Sequence, residues 1–449
     1  MAAPEPAVDV AAVIDAAPLN RFHLRVIGMC ALLLFFEGFD LQSIGFAAPA
    51  IVRAFGWPQQ VLGWVFSAGQ AGMVVGALFG GLAGDRWGRR RVFIACGIEF
   101  GLTSLTMVLV RNHYELMALR FTAALGLGAA GPLAITIASD YCPARVRAGL
   151  TMLMYCAFTI GGVGASFVVA LLAAWGWQAV FIVGGVLPLL LVPVLLAALP
   201  ESLNYLVASG TRGAEIARIL RRLAPGARFG ADASFTMPEA YEKRLQVLEL
   251  FRRGYAPRTV LLWCCFFVSL ITLFGISNWL PLLLDQVGLN ATHIAGINFA
   301  AQTGGLVGSM AGARIIMGQP PLRTAALFYV PAALLVAAYA VPGANVPALA
   351  AVGFAGSFFL IGAQNILNAT AGQIYPPRMR ATGVGWGIGI GRIGGVIGPL
   401  VAGALVAAGW TPRAVFIAAG LPILLTAAVA LALHVAVSRA TGAGGCDKR

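Results

Sequence analysis

The chain has 449 residues, of which 59% are hydrophobic and 10% are charged. Soluble domains carry about 25% charged residues, so this composition excludes an ordinary soluble protein and predicts a polytopic membrane protein. The net charge of +13 does not indicate nucleic acid as a partner, because the basic residues cluster in short loops between apolar segments. The seven cysteines have neither metal-ligand spacing nor the pattern of a disulfide framework, and we expect no metal and no cofactor.

Apolar windows of about 20 residues predict twelve membrane-spanning helices, called segments 1 to 12. They cover residues 23–50, 61–83, 91–110, 115–138, 148–174, 177–199, 257–284, 291–316, 323–341, 346–372, 381–408 and 413–437. We expect 23–199 and 257–437 to form two six-helix bundles, joined by a soluble cytoplasmic linker at 200–256. Residues 1–22 and 438–449 are predicted to be cytoplasmic tails. We expect no cleavable signal peptide, because the start carries acids and no basic n-region.

The distribution of arginine and lysine predicts the orientation. Of 30 basic residues, 25 fall in the tails, the linker and the loops after segments 2, 4, 8 and 10. Arg53, Arg111 and Arg413 lie on the opposite side. Cytoplasmic loops carry the excess of positive charge, so both termini are predicted to be cytoplasmic. The remaining two, Arg120 and Arg392, fall inside apolar segments.

An internal repeat relates the two bundles. Residues 141–148 (YCPARVRA) resemble residues 375–381 (YPPRMRA), and Gly176-Trp177 recurs as Gly409-Trp410. The offset is about 233–235 residues, so segments 4–6 correspond to segments 10–12 in the same orientation. The predicted fold is therefore an all-α membrane protein built by parallel duplication of six helices.

Segment 1 contains two acids, Glu37 and Asp40. An ionised Asp costs roughly 3 kcal/mol at the centre of a membrane helix, so intramembrane acids usually bind a proton, a cation or a substrate. A spacing of three places both side chains on one helix face. The alternative is that both only form hydrogen bonds with neighbouring helices.

The loop after segment 2 reads GLAGDRWGRRR over residues 81–91. It resembles the signature loop of the major facilitator superfamily, and the resemblance covers residues 20–438; a plain basic stop-transfer loop is the alternative. It implies gating residues Gly81, Asp85, Arg86, Gly88 and Arg90. Asp85 is expected to cap the next helix or to pair with a basic residue. The corresponding loop after segment 8 lacks the Asp-Arg pair.

Asp140 lies at the end of segment 4, beside Arg145 and Arg147. We expect a cytoplasmic gate or a structural pair there, rather than a proton carrier.

A narrower resemblance starts from Glu37-Gly38-Phe39-Asp40, which looks like the Asp-Gly-x-Asp segment of the aromatic acid:proton symporters, with Glu37 where Asp is typical. Further similar stretches are Leu119-Arg120-Phe121, Pro200-Glu201-Ser202 and Gly389-Ile390-Gly391-Arg392. The resemblance implies a monomeric carrier in the bacterial cytoplasmic membrane, among lipids, that imports benzoate, protocatechuate or 4-hydroxybenzoate with protons. It implies no enzymatic activity.

Within that resemblance, Asp40 is the first candidate for the proton site, and Glu37 is a second proton site or a structural partner. Arg120 is similar to a superfamily arginine linked to proton coupling. Arg392 is the candidate for binding the substrate carboxylate, since a guanidinium binds a carboxylate through two hydrogen bonds. Its alternative role is a structural ion pair.

Polar side chains in segments 7 and 10 are further candidates for substrate binding: Asn278, Gln364 and Asn365. Trp386 is a candidate for stacking on the ring. Equally, amides join membrane helices and tryptophans pack. Glycines recur every fourth residue from Gly72 to Gly84 and from Gly383 to Gly395, and we expect these faces to form close, sliding helix contacts that help the two halves rock.

Three other functions stay open. The first is transport of another organic anion, such as muconate or an aliphatic acid. The second is a drug-type exporter, which is disfavoured because Gly161–Gly164 lacks the following proline. The third is a non-transporting sensor or membrane enzyme, although the sequence shows no signalling domain and no nucleophile motif.

Overall fold

The computed structural model describes residues 8–210, 213–226, 229, 234–237, 247–252, 254–341 and 345–443. The predicted tails at 1–7 and 444–449 and parts of the predicted linker lie outside the described residues. Within these ranges, strands β1 (Val8–Asp9) and β2 (Phe235–Thr236) pair in parallel. The helices are α1 (Val10–Ala16), α2 (Arg21–Phe55), α3 (Val61–Trp87), α4 (Arg89–Thr106), α5 (His113–Tyr141), α6 (Ala144–Leu172), α7 (Gln178–Ala198), α8 (Leu203–Ser209), α9 (Gly213–Leu223), α10 (Ala256–Gln286), α11 (Ala291–Ile315), α12 (Pro321–Ala338), α13 (Val346–Ala371), α14 (Pro377–Ala407) and α15 (Pro412–Ala443).

Nine of the described helices are long and apolar enough to cross a membrane: α3, α4 with the turn that follows it, α5, α7, α10, α12, α13, α14 and α15. Helices α2, α6 and α11 have 35, 29 and 25 residues and correspond to predicted segments 1, 5 and 8. The count of twelve spans and the cytoplasmic placement of both ends stay predictions.

Helix α2, which carries both acids, begins and ends at defined caps. The Asn20 side chain accepts hydrogen bonds from the amides of Phe22 and His23, and the His23 side chain accepts one from the Asn20 amide in return. Gly56 ends the helix with φ at 64°, a left-handed conformation that favours glycine. The caps fix the start and the end of α2, so Glu37 and Asp40 lie in its middle.

Helix packing repeats between the two halves of the chain. In the first half α3 packs on α5 and α2 on α6, and in the second half α11 packs on α13 and α10 on α14 in the same way. The contacts between the halves also come as a related pair, because α3 packs on α14 and α6 packs on α11. The core therefore has the internal pseudo-symmetry expected of a parallel duplication.

The regularly spaced glycines pack inside each half. A Cβ at Gly72 or Gly76 would overlap the Phe121 or Leu125 carbonyl of α5. Glycines of α14 face Phe266 and Phe274 of α10 in the same way. Both rows therefore make their closest contacts within a half, and their expected help in the rocking of the halves stays a prediction.

Candidate functional site

A small cavity lies among α2, α3, α5 and α10, where the two halves of the chain meet. It has room for about one water molecule. Its polar lining combines two acids, one arginine and two amides: Glu37, Asp40, Arg120, Gln70 and Asn278. Because charged groups within membrane helices are rare and costly, this cavity is the candidate functional site.

Asp40 and Arg120 form a buried ion pair. The Arg120 Nη1 atom donates to Asp40 Oδ1 over 2.6 Å, and the two side chains are 4% and 6% exposed. Helices α2 and α5 therefore supply opposite charges from within the same half. A charge-assisted hydrogen bond of this length stabilises the ionised carboxylate.

Glu37 has a different environment. It is buried, and its carboxylate lies against α5, where a Cβ at Gly131 would come within 3.1 Å of Glu37 Oε2. The charged groups that act on it are Arg392 and Asp40, and among the described residues no donor forms a hydrogen bond with it. Asp40 therefore has an ion-pair partner, whereas Glu37 has none among the described residues, and the positive charge that acts on it is that of Arg392.

Arg392 reaches from α14 across to the first half. Its Nη1 atom donates to the backbone carbonyl of Met73 on α3 over 3.3 Å. Met73 itself lines the cavity. A neutral carbonyl is a weaker partner than a carboxylate, so Arg392 keeps donor capacity for an anion beside the cavity.

Unpartnered donors also face this region. The Asn278 side-chain nitrogen and Arg120 Nε are buried with no hydrogen-bond partner among the described residues. Buried polar atoms normally have a partner, so these two point to a water molecule or a ligand atom that completes the site. Gln70 and Met73 were missed by the sequence reasoning, which had no signal to separate them from other residues of α3.

The other predicted substrate residues lie elsewhere. Tyr329 donates to Gln364 Oε1 over 3.3 Å, so Gln364 joins α13 to α12. Asn365 is exposed and donates to Ser309 of α11 over 2.7 Å. Trp386 is 46% exposed and stacks on Trp263 with ring centroids 6.1 Å apart. The structure does not bring these three to the cavity, and their roles in substrate binding stay predictions.

The loop between α3 and α4 forms a network centred on Arg89. Arg89 pairs with Asp85 at 3.2 Å and with buried Asp140 at 3.0 Å. Asp140 also accepts hydrogen bonds from Ser202 and Asn204. Asp85 therefore pairs with a basic residue and does not cap α4, and Asp140 ties the end of α5 to α4 and α8.

Glu201 completes this network, and the sequence reasoning did not assign it a role. Its carboxylate accepts a hydrogen bond from the backbone amide of Arg90 over 2.8 Å. Glycine is required at position 88 for two reasons. A Cβ there would come within 2.6 Å of Glu201, and the backbone has φ at 98°, which favours glycine. Glu201 thus caps the start of α4 in place of a side chain from the loop itself.

The remaining predicted gating residues have separate surroundings. Arg86 lies over the Trp87 ring at 6.0 Å, and a Cβ at Gly81 would meet no atom within 4 Å. Arg145 donates to the carbonyls of Asp15 and Ala17, each over 2.8 Å, and not to Asp140. Arg145 therefore fastens the N-terminal tail to the start of α6.

The halves are tied together at the ends of α2 and α10. Arg53 donates from Nη1 to both carboxylate oxygens of Asp285, at 2.7 and 2.6 Å, and Gln286 donates to Gln59 beside them. Among the described residues, the side-chain hydrogen bonds between the halves lie here or near mid-helix, as at Ser67 and Val396. These ends are predicted to face away from the cytoplasm, so the structure is closed on that side.

Among the described residues, no group of three or more His, Cys, Asp and Glu side chains is placed to hold a metal ion. The cavity lining offers charged groups and amides, which bind ions and polar substituents.

Comparisons with known proteins point in one direction. The sequence profile of the Major Facilitator Superfamily matches residues 30–371. The chain is 36% identical to the 4-hydroxybenzoate transporter PcaK of Pseudomonas aeruginosa, over 94% of this chain and 95% of the relative. It is 35% identical to a gallate transporter of Pseudomonas putida, over 97% of each chain. It is 36% identical to the 3-(3-hydroxy-phenyl)propionate transporter of Escherichia coli, over 93% of this chain and 94% of the relative.

Solved structures show the same fold. A bacterial homolog of the human lysosomal transporter Spinster superposes with a TM-score of 0.71 at 16% identity, covering 94% of this chain and 99% of that chain. The xylose transporter XylE of E. coli superposes with a TM-score of 0.67 at 16% identity, covering 91% and 97%.

Proposed function

The chain belongs to the Major Facilitator Superfamily and is a multi-pass transporter of the bacterial inner membrane, not an enzyme, and on that premise we propose that it imports aromatic carboxylates together with protons by alternating access. The observation that carries this proposal is the set of opposing charges between the halves. Two acids and two arginines lie at or beside one small cavity: Glu37, Asp40, Arg120 and Arg392.

The substrate class follows from the relatives and from this charge set. The relatives are named for 4-hydroxybenzoate, gallate and a hydroxyphenyl propionate, which all combine an aromatic ring with a carboxylate. A guanidinium held by a neutral carbonyl, as Arg392 is, suits a carboxylate ligand. The amides of Asn278 and Gln70 suit a second polar group on the same ligand.

The proton is proposed to bind Glu37 or Asp40. Coupling then requires no chemical step, only a difference in affinity between the states open to each side. The closed end at Arg53 and Asp285 has to open for the substrate to enter. The network of Asp85, Arg89 and Asp140 is proposed to hold the cytoplasmic ends of the first half as one unit while the halves, at 23–199 and 257–437, rock.

Exposed amides on α13 support a water-filled path on the cytoplasmic side. Asn365 and Asn368 are exposed and hydrogen-bonded to each other, with Asn365 also bonded to Ser309. Polar side chains within membrane helices face a cavity or the bundle interior and avoid lipid. We place this face on the open cavity, where Asn365 meets the substrate during release, whereas buried Gln364 lies behind it against α12.

Uptake in proteoliposomes tests this proposal. When the outside is more acidic than the vesicle interior, radiolabelled 4-hydroxybenzoate is expected to accumulate inside. A protonophore is expected to abolish this accumulation while leaving exchange of the substrate intact. A competition panel of benzoates, muconate and aliphatic acids tests the main alternative. If muconate or an aliphatic acid competes more strongly than the benzoates, the substrate is another organic anion. Binding without translocation would contradict transport and favour a sensor.

A further inference from the structure

We propose that Glu37, rather than Asp40, takes up the coupling proton, because ionised Glu37 competes with the substrate carboxylate for Arg392. The inference rests on the proposed function above. It assigns different roles to the two acids and reverses the order expected from the sequence, in which Asp40 is the first candidate for the proton site.

Charge balance shows why a proton must accompany the anion. When ionised, Glu37 and Asp40 carry two negative charges, and Arg120 and Arg392 carry two positive charges, so these four side chains together are neutral when the site is empty. A bound carboxylate alone leaves one uncompensated negative charge in a buried site. A proton alone leaves one uncompensated positive charge. Both states are costly in a low-dielectric interior, and only the empty and the doubly loaded sites are neutral.

Asp40 is poorly suited to receive that proton. Its carboxylate accepts a 2.6 Å hydrogen bond from Arg120, and both side chains are almost fully buried. Protonating Asp40 would leave the Arg120 guanidinium buried without an anionic partner. Since α2 and α5 belong to the same half, this pair also has no reason to separate when the halves rock.

Glu37 has the opposite properties. The groups that face it from the surrounding helices are Arg392 of α14, Asp40 of α2 itself, Arg120 of α5, which Asp40 engages, and the neutral Asn278 of α10. Glu99 of α4 acts on Asp40 and not on Glu37. The charge that stabilises ionised Glu37 therefore comes from the opposite half, through a residue whose own hydrogen bond goes to a neutral carbonyl.

The cycle follows from this geometry. On the outer side, a proton from water binds the Glu37 carboxylate, and Arg392 becomes available to the substrate carboxylate. The halves rock, the anion leaves to the cytoplasm, and Glu37 releases its proton there. Ionised Glu37 and Arg392 then attract each other across the halves. The empty site is neutral in this state, which allows the carrier to return to its outward-open conformation.

The test uses the purified full chain in detergent, with radiolabelled 4-hydroxybenzoate as the probe. Between about pH 5.5 and 8 the ligand carboxyl stays ionised, so a change in affinity reports on the protein. For the wild type, we expect binding to take up one proton per anion in weak buffer. Affinity should fall by up to about tenfold per pH unit once Glu37 ionises.

Glu37→Gln resembles the protonated acid. It is expected to bind the anion independently of pH, to take up no proton and to retain exchange while losing gradient-driven accumulation. Asp40→Asn, in the fraction that stays folded, is expected to retain the pH dependence. Glu115→Gln at the exposed start of α5 is the matched control and should behave as the wild type does. If Glu37→Gln does not fold, Glu37→Ala serves with the same expectation, and the residual binding of Arg392→Gln should also be independent of pH.

The outcomes separate the two proposals. A wild-type pH dependence and proton uptake in Glu37→Gln, or in Arg392→Gln, would overturn the role of Glu37 while leaving aromatic acid binding intact. Loss of pH dependence in Asp40→Asn alone would reverse the assignment. A wild type that binds none of the aromatic acids would refute the proposed function, and the present inference with it.

Discussion

Breaking the Asp40–Arg120 pair from one side should destabilise the protein strongly. In Asp40→Asn the Arg120 guanidinium, 4% exposed, stays buried without its anion. Removing one partner of a buried ion pair costs about 3–5 kcal/mol, because the other charge is left uncompensated. The double variant Asp40→Asn/Arg120→Gln removes both charges and should recover most of that loss, since a neutral replacement of a buried pair is often nearly without cost.

The assay is a double-mutant cycle on the free energy of unfolding, measured by denaturant titration in mixed micelles. The control is Asp285→Asn, whose pair with Arg53 has a similar 2.6 Å contact but side chains that are 61% and 22% exposed. An exposed pair is worth about 0.2–1 kcal/mol, so the control should lose far less stability. The reasoning is refuted if Asp40→Asn loses no more than the control does, or if the two single losses simply add in the double variant.

Three further predictions concern the packing, the outer closure and the cytoplasmic network. Gly76→Ala should cost about 1–3 kcal/mol because its Cβ overlaps the Leu125 carbonyl, whereas Gly81→Ala, with open space around it, should be neutral or stabilising; equal effects on thermal unfolding would contradict the packing. Asp285→Asn should raise the outward-open population by about 1.4- to 5-fold, because it removes the ion pair with Arg53 that holds the outer ends together. The measurement is the labelling of a cysteine placed in the outer half of the cavity, and unchanged labelling would show that the pair does not hold the outer side closed. Glu201→Ala should cost about 1–3 kcal/mol because the partly buried Arg90 amide loses a charged acceptor, and a thermal stability equal to that of the wild type would show that water replaces the carboxylate.

Several predictions from the sequence are confirmed by the comparisons. Membership of the superfamily was predicted from the Gly81–Arg91 loop and the duplication, and the superfamily profile and the solved transporters bear it out. The resemblance to carriers of aromatic acids agrees with relatives that are about 35% identical over most of the chain. These features can be predicted from the sequence alone, because a hydrophobic window, a basic loop and a repeat are properties of residue order.

The spatial predictions were less complete. Asn278 was expected at the site and lines the cavity, whereas Gln364 and Asn365, chosen by the same reasoning, contact α12 and α11. A polar residue in a membrane helix indicates that its side chain faces protein or water, but it does not indicate which neighbouring helix the side chain contacts. For the glycine rows too, the spacing predicts a close helix contact but does not say which helix is the partner.

The sequence by itself determined that this is a membrane carrier with two acids in segment 1 and one arginine in each of segments 4 and 11, all at a high solvation cost. Only the tertiary structure decided how those charges pair. Arg120 lies 80 residues from the acid it binds, and Arg392 lies 319 residues from the carbonyl that holds it. Glu37 and Asp40 are neighbours on one helix face, yet Asp40 meets a cation of its own half and Glu37 a cation of the opposite half. That difference arises from the packing of α5 and α14 around α2, and no pattern of residues along α2 encodes it.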